Sequence, residues 1–214
     1  MLKLKMHVKI RIIGHSIVEK MKNSDYSINL KLEHDSYVAT LTSIPGGTIF
    51  EKKSIRTHCH NCPEGSEAYL VIIQMGENEL SNLGPKIVAR NILTFSQENL
   101  NIYSHVRRLV IGSLIKRCHS RSKYKIKTQQ QEDMYNIDIA ACNHRLQKAI
   151  RKINNPRLRF KKHKDFDNYK SQYLCNIDSW IDPVHLNKLG KQHLLRSWKG
   201  MLLNYITDRT SGII

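Results

Sequence analysis

The stretch AYLVIIQM, residues 68–75, is the most apolar run in the chain and ends at Gly76. A short, continuous apolar run that is bounded by a turn residue is typical of a strand buried on both faces of a parallel sheet. Such sheets occur almost only where helices cover both sides. The run therefore predicts an inner strand of an α/β protein.

Strands and helices alternate on either side of this run. Further strands are predicted at residues 7–13, 37–42, 106–114 and 157–163, and helices from Ser16 and over 85–100, 134–153 and 186–205. Short connections between alternating elements predict one α/β domain, residues 1–214 with a core from about 7 to 205, in which five parallel strands lie between two helical layers. The third helix should bury the apolar residues that recur every three or four positions: Met134, Ile137, Ala141, Leu146, Ala149, Ile150 and Ile153.

The composition is that of a soluble globular protein with 214 residues, 40% of them hydrophobic, and a mean hydropathy of −0.46. No segment reaches the roughly 20 apolar residues of a membrane span. The first residues alternate basic and apolar side chains, unlike a signal peptide, so we expect a cytoplasmic or nuclear location. An odd number of cysteines, five, indicates reduced thiols.

The charge is strongly basic and unevenly placed. Residues 101–170 hold 18 Lys and Arg against 5 Asp and Glu, and so carry +13 of the formal +17. This segment has three possible explanations. It is an ordinary solvated surface, a surface that binds RNA or single-stranded DNA, or a surface that is attracted to an anionic membrane. The candidate nucleic-acid-binding residues are Arg107, Arg108, Lys116, Arg117, Arg121, Lys123, Lys125, Arg157, Arg159, Lys161, Lys162 and Lys164. The aromatic residues that could stack on bases are Tyr124, Phe160, Phe166 and Tyr169.

Two polar stretches suggest neither catalysis nor a cofactor. Residues 119–133 are expected to form a basic mobile loop. The sequence HCHNCPEG, residues 58–65, contains the Cys-x-x-Cys spacing of zinc sites, with His119 and His144 as distant candidate partners. Because no second Cys-x-x-Cys pair exists and nothing in the spacing selects a partner, we expect no metal and no cofactor.

Three short blocks directly follow predicted strands. Ser16, at the mouth of a helix, is either an exposed nucleophile or a helix N-cap. Gly46, Gly47 and Asn78 are either donors to an oxyanion or ordinary turn residues. Ligand sites in parallel sheets form at the carboxyl ends of the strands, which is where these blocks are expected.

The stretch DPVHLNKLG, residues 182–190, contains a second kind of candidate. Asp182 and His185 are either an orienting carboxylate with its base, as in a catalytic triad, or a turn followed by the start of a surface helix. Alone, the pair is more simply a turn. After three blocks of the right kind, it is the expected position of the acid and the base.

Taken in order, IIGHSIV, IPGGTI, VIIQMGENEL and DPVHLNKLG resemble the four blocks of the SGNH (GDSL-type) hydrolases. The resemblance implies a three-layer, flavodoxin-like α/β/α sandwich with a five-stranded parallel sheet. It also implies Ser16 as nucleophile, His185 as general base and Asp182 as its orienting residue. The implied oxyanion donors are Ser16, Gly46 or Gly47, and Asn78.

The blocks depart from the family pattern at two positions. His15 stands where the family has an Asp whose hydrogen bonds shape the nucleophile turn, and Glu79 stands where the third block has Asp. Within the family, the sequences of these blocks are most similar to those of compact intracellular domains of metazoan proteins, some of them encoded by retrotransposons. A further relative in this fold, the C-terminal domain of Oskar, lacks a working triad and binds RNA.

Two functions follow from these observations. The first is a serine esterase that acts on a small acyl ester through an acyl-enzyme intermediate. The alternative is a catalytically weak or inactive module that binds RNA or single-stranded nucleic acid through its basic surface.

Overall fold

The sheet has five parallel strands in the order β2-β1-β3-β4-β5. The computed structural model describes residues 8–22, 37–51, 54–61, 67–118, 126, 128–168, 174–175 and 185–212. The five predicted strands are confirmed within a few residues at each end. They are β1 (Val8–Gly14), β2 (Tyr37–Ser43), β3 (Leu70–Gln74), β4 (Arg108–Gly112) and β5 (Leu158–Lys161).

Helices cover both faces of this sheet. Within the described residues they are α1 (Ser16–Lys22), α2 (Ile55–Asn61), α3 (Leu80–Ile102), α4 (Gln129–Ile153), α5 (Lys164–Asn168) and α6 (Lys188–Thr210). The helices predicted from Ser16 and over 85–100, 134–153 and 186–205 are confirmed as α1, α3, α4 and α6.

The apolar run that predicts an inner strand supplies both halves of the core. In β3, Leu70 and Ile72 pack with α1 and α6, whereas Val71 and Ile73 pack with α2, α3 and α4. All five residues of β3 are buried, because alternate side chains of a strand point to opposite faces of the sheet. The molecule is therefore the expected three-layer α/β/α sandwich.

Helix α4 buries only part of the set of residues that the sequence predicts, since Leu146 and Ile150 are buried as expected. Met134 and Ile137 are 62% and 66% exposed, and Ile153 is 37% exposed, so these three predictions are wrong. Two faces of the helix fit a spacing of three and four residues, and packing against α3 selects the one that carries a tyrosine and a cysteine. The buried residues of α4 are Glu132, Tyr135, Ile139, Cys142, Leu146 and Ile150.

The start of α4 also corrects the predicted loop. The side chain of Thr128 accepts a hydrogen bond from the N–H of Gln131 at 3.2 Å and so caps the helix. Residues 128–133 are therefore not a mobile loop. Ile126 is half-buried against the core, and the other residues of that prediction, 119–125 and 127, lie outside the described residues.

The described part of the chain gives three further facts about composition. Cys59, Cys118, Cys142 and Cys175 have buried side chains and take part in no disulfide bond among the described residues. Among the described residues, no group of three or more His, Cys, Asp and Glu could hold a metal ion, and Cys62 lies outside them. None of the described helices is long and apolar enough to cross a bilayer.

Candidate active site

The carboxyl ends of β1, β2 and β3 meet where the direction of the chain connections reverses. β1 lies between β2 and β3 in the sheet. In open parallel sheets, a crevice opens outside the strand ends at such a switch point. Ser16 follows β1, Gly46 and Gly47 follow β2, and Asn78 follows β3, so the structure brings three of the four sequence blocks to one edge.

Ser16 begins a helix immediately after a tightly packed strand end. At Gly14, a Cβ atom would lie 2.2 Å from Cγ2 of Val18 and 2.5 Å from the carbonyl oxygen of Gln74, so only glycine fits. The carbonyl of His15 accepts a hydrogen bond from the N–H of Glu19 at 3.0 Å, which closes the first turn of α1. Ser16 is therefore the first residue of this helix, and it is half-buried.

His15 and Glu77 form a buried pair beside the predicted nucleophile. Nε2 of His15 lies 2.9 Å from Oε2 of Glu77 and 3.3 Å from the backbone nitrogen of Gly76. An N–H of Gly76 and a carboxylate cannot both be satisfied by the same ring nitrogen. The carboxylate contact is the shorter one, and both side chains are almost inaccessible to solvent. We therefore assign a proton to Nε2, so that this N–H donates a hydrogen bond to Oε2 of Glu77.

Glu77 is ionised in this environment. Burial alone would raise its pKa, but four interactions outweigh that effect: the hydrogen bond from His15, the attraction of His15 and of Arg117, and the N–H of Ile115, which donates to Oε1 at 3.0 Å. Together they lower the pKa of Glu77 to about 2. Sequence reasoning assigned no role to Glu77.

A tight turn places the two glycines that follow β2. The N–H of Gly47 donates to the carbonyl of Ile44 at 3.0 Å, and Gly46 has a φ of 67°. A proline at the second position and a left-handed glycine at the third are the pattern of a type II turn, which Pro45 and Gly46 supply. Since this turn uses the N–H of Gly47, Gly46 is the better candidate for an oxyanion donor.

The Asn78 side chain is held at both ends. Its Nδ2 donates to the carbonyl of Gly47 at 3.1 Å, and its Oδ1 accepts a hydrogen bond from Nη2 of Arg117 at 3.1 Å. A carbonyl can only accept and a guanidinium can only donate, so these two partners fix which way the amide points. One N–H of Nδ2 remains for another acceptor.

Glu79 follows Asn78 and has an unusual proton affinity. Its side chain is buried, and burial raises the pKa to about 7. The N–H of Ile49 bonds to this carboxyl and opposes the increase, whereas the charge of Glu51 adds to it. The residue that follows the predicted oxyanion donor therefore carries a carboxyl group that titrates near neutral pH.

Solved structures share this architecture over most of their length. A GDSL-like lipase from Bacteroides thetaiotaomicron has a TM-score of 0.61 at 12% identity, covering 92% of this chain and 88% of that one. A catalytic mutant of Axe2, an acetylxylan esterase from Geobacillus stearothermophilus, has a TM-score of 0.60 at 11% identity, covering 91% and 94%. The chain has the SGNH hydrolase-like fold.

A third structure, the lipase Lip_vut3 from a goat rumen metagenome, has a TM-score of 0.61 at 12% identity, covering 90% of this chain and 96% of that one. By sequence, no family model and no curated protein matches the chain. The likeness at these identities is one of fold.

The described part of the fourth block, residues 185–190, leads into α6 of the SGNH-like fold. His185 is half-buried, and its Nε2 is shielded from solvent. The next residue, Leu186, forms a bridge with Cys175 and belongs to the same apolar cluster as Ile17, which follows Ser16. Asp182 lies outside the described residues, so its pairing with His185 stays a prediction, as does the pairing of His185 with Ser16.

Several predicted nucleic-acid contacts of this SGNH-like domain are used inside the protein. Arg108 is buried and forms an ion pair with Asp208. Arg157 donates to the backbone carbonyls of Val106 at 2.8 Å and Leu100 at 3.3 Å. Arg117 binds Asn78, so these three arginines have structural partners instead of facing a polyanion.

The other predicted contacts divide by exposure. Phe166 is buried, so it cannot stack on a base, and Phe160 is half-buried against the core. The exposed basic residues of the predicted set are Arg107, Arg159, Lys162 and Lys164, while Lys116 and Lys161 are half-buried. The predicted contacts Arg121, Lys123, Lys125, Tyr124 and Tyr169 lie outside the described residues.

A second buried polar cluster was missed. Nε2 of Gln74 donates to the carbonyl of Ser113 at 3.1 Å, which leaves its Oε1 to accept from Nε2 of His163 at 2.7 Å. Nδ1 of His163 then accepts from the hydroxyl of Ser197, also at 2.7 Å. The signal in the sequence was Gln74, the polar residue inside the apolar run 68–75.

Proposed function

We propose that the protein is a serine ester hydrolase of the SGNH type that acts on a small acyl ester. Ser16 is the nucleophile, His185 the general base, and Asp182 the carboxylate that orients His185. The oxyanion is stabilised by the N–H groups of Ser16 and Gly46 and by the amide of Asn78.

One observation supports this proposal above the others. The 2.9 Å contact between His15 and Glu77 joins the residues that precede Ser16 and Asn78. The predicted nucleophile and the predicted side-chain donor therefore follow two residues that are fixed to each other inside the protein. Fixed donors aimed at a developing charge are worth more than mobile ones, because no reorganisation is needed during the reaction.

The chemistry proceeds in two steps. The Oγ of Ser16 attacks the ester carbonyl carbon while His185 takes the hydroxyl proton, and the carbonyl oxygen becomes an anion that the three donors bind. Collapse of this intermediate breaks the ester bond, and His185 returns the proton to the leaving alcohol. Water deprotonated by His185 then hydrolyses the acyl-enzyme, which releases the acid and restores Ser16.

The test is labelling by a fluorophosphonate probe together with hydrolysis of p-nitrophenyl acetate. We expect the wild-type protein to be labelled and to turn over ester, and Ser16→Ala and His185→Gln to lose both. Ser81→Ala is the matched control, because Ser81 is exposed on α3 close in sequence to the third block. Labelling and turnover that persist in Ser16→Ala would exclude this function.

A specific observation favours a second candidate, binding of single-stranded nucleic acid. Edge strand β5 packs beside α4, and together they expose a basic face without an ion pair among the described residues. Lysines on an edge strand also prevent sheets from joining edge to edge, which is the simpler explanation of part of this charge. The α4/β5 basic face consists of Arg145, Lys148, Arg151, Lys152, Arg159, Lys161 and Lys162.

The second candidate is tested by titrating labelled single-stranded RNA at two salt concentrations. Replacing Arg151, Lys152 and Lys162 with alanine should weaken binding and reduce the slope of log affinity against log salt by about 2, at roughly 0.7 per phosphate contact. The control with the same charge change replaces Lys188, Arg196 and Lys199, which are exposed on α6. Equal losses in the two triple variants would show that only net charge matters, and would count against a defined binding face.

A further inference from the structure

Arg117 is held in place by an arrangement that leaves its guanidinium group little freedom. Its backbone N–H donates to Oδ1 of Asn136 at 3.0 Å, and its backbone carbonyl accepts from Nδ2 of the same residue at 3.0 Å. The guanidinium carbon lies 5.5 Å from the ring centroid of Tyr135. Helix α4, which carries Asn136 and Tyr135, therefore positions both ends of Arg117.

The same ring is tied to the third block. The hydroxyl of Tyr135 donates to the backbone carbonyl of Glu77 at 2.6 Å. Arg117 in turn reaches Asn78 with Nη2 at 3.1 Å, and its charge helps to lower the pKa of Glu77. The segment that carries Asn78 is thus fixed by α4 through two adjacent contacts, one to its backbone and one to its side chain.

We propose that Arg117 is the positioning residue for the oxyanion donor Asn78, an inference that rests on the proposed esterase function. By binding Oδ1, Arg117 holds the amide plane and directs the remaining N–H of Nδ2 toward the crevice. The positive charge of the guanidinium beside Oδ1 also polarises the amide, which makes Nδ2 a stronger donor. Arg117 acts through Asn78 and does not contact the ester.

Arginine suits this position for a reason that lysine does not share. A planar guanidinium can stack on a tyrosine ring and at the same time present a directed N–H to one acceptor. An ammonium group keeps the charge but neither lies flat on the ring nor fixes one direction. Lys at position 117 should therefore keep the fold and lose most of the positioning.

The kinetic test is a double-mutant cycle with Arg117→Met and Asn78→Ala on p-nitrophenyl acetate. Loss of an oxyanion donor costs about 100-fold to 1,000-fold in kcat, so Asn78→Ala should fall in that range. Arg117→Met should lower kcat by about tenfold to 100-fold with little change in KM, since a small misplacement of a catalytic group has effects of that size. The double variant should be no slower than Asn78→Ala.

Arg209→Met is the matched control, because Arg209 stacks on Tyr69 at 5.8 Å and lies at the end of α6, away from the crevice. Its kcat should equal that of the wild type. A double variant that is slower than Asn78→Ala by the full factor of Arg117→Met would overturn the inference, and so would an unchanged kcat in Arg117→Met. If Arg117→Met does not fold, Arg117→Lys replaces it in the cycle, with the same expectation.

A second measurement does not require catalysis. In a ¹⁵N-labelled protein, the side-chain amide of Asn78 is assigned by its disappearance in Asn78→Ala. Arg117→Lys should shift this amide and speed its hydrogen exchange at least tenfold, while Arg209→Met leaves it unchanged. An unchanged Asn78 amide overturns the positioning role even if the protein proves to be no esterase. If Ser16→Ala equals the wild type in activity, the function fails and the amide alone decides the inference.

Discussion

The imidazole of His15 faces the carboxylate of Glu77 inside the protein, with Nε2 2.9 Å from Oε2 and exposed side-chain fractions of 2% and 0%. In the SGNH pattern that the sequence resembles, an Asp stands at position 15. Here the carboxylate comes from the third block, and the first block supplies the imidazole. The first and third blocks are therefore joined through the close contact of the His15 imidazole with the Glu77 carboxylate.

Breaking this pair should destabilise the fold. Glu77→Gln removes the charge that faces His15, and loss of one partner of a buried pair costs about 3–5 kcal/mol of unfolding free energy. The matched control is Glu67→Gln, because Glu67 pairs with Lys9 at 3.3 Å on the surface and should cost under about 1 kcal/mol. Urea unfolding of both variants checks this, and equal losses would contradict it.

The decrease of the unfolding free energy at acid pH should also depend on Glu77. Its folded pKa of about 2 lies below its ordinary value of 4.5, so the folded state binds fewer protons than the unfolded state between these values. The stabilisation is therefore complete above pH 4.5 and is lost as the pH falls toward 2. The difference in unfolding free energy between the wild type and Glu77→Gln should shrink over that window.

Glu79 should have the opposite effect near neutral pH. Its folded pKa of about 7 lies above 4.5, so the folded state binds more protons than the unfolded state between pH 4.5 and 7. Stability should therefore fall as the pH rises through this window. Glu79→Gln should remove the decrease. Unfolding midpoints of the two proteins at pH 5 and pH 8 test this, and parallel changes would count against a raised pKa.

His163 should stay neutral where most histidines take up a proton. Burial lowers its pKa to about 4, against an ordinary value of 6.5, with the charge of Glu77 opposing the change. The stabilisation from this group is present above pH 6.5 and is lost as the pH falls toward 4. Its Cε1 proton resonance should not move between pH 5 and pH 8, and a titration in that range would contradict the assignment of Nδ1 as the acceptor from Ser197.

The sequence predicts the sheet and the strand-end blocks well because both depend on local patterns. The run at 68–75 needs burial on both faces whatever its neighbours are, and Ser16 and Asn78 follow strands whose ends are marked by glycine. Because the strands are parallel, their carboxyl ends lie at one edge of the sheet, and this can be predicted without knowing any individual side-chain contact.

Contacts between distant residues were not predictable in this way. His15 and Glu77 are 62 positions apart, and Arg117 reaches Asn78 across 39 positions. Arg117 therefore looked like one more basic residue of a charged segment. The buried face of α4 was predicted only in part for a related reason. Tyr135 and Cys142 compete with Met134 and Ile137 at the same helical spacing, and only packing on α3 and the third block decides between them.

The strand end before Ser16 offers the most direct test of how the fold supports the site. In Gly14→Ala, the new methyl group would meet the carbonyl oxygen of Gln74 at 2.5 Å, and a backbone atom of a central strand cannot move away cheaply. Overpacking of this kind costs about 1–3 kcal/mol of stability, and a shift of α1 that relieved it would displace Ser16.

Gly200→Ala is the control, since nothing lies within 4 Å of the new atom and alanine favours the helix by about 1 kcal/mol. We expect Gly14→Ala to lose stability and fluorophosphonate labelling while Gly200→Ala gains stability and keeps its labelling. Full labelling of Gly14→Ala would contradict this prediction, because it would show that the turn before Ser16 accommodates the added methyl group without displacing Ser16.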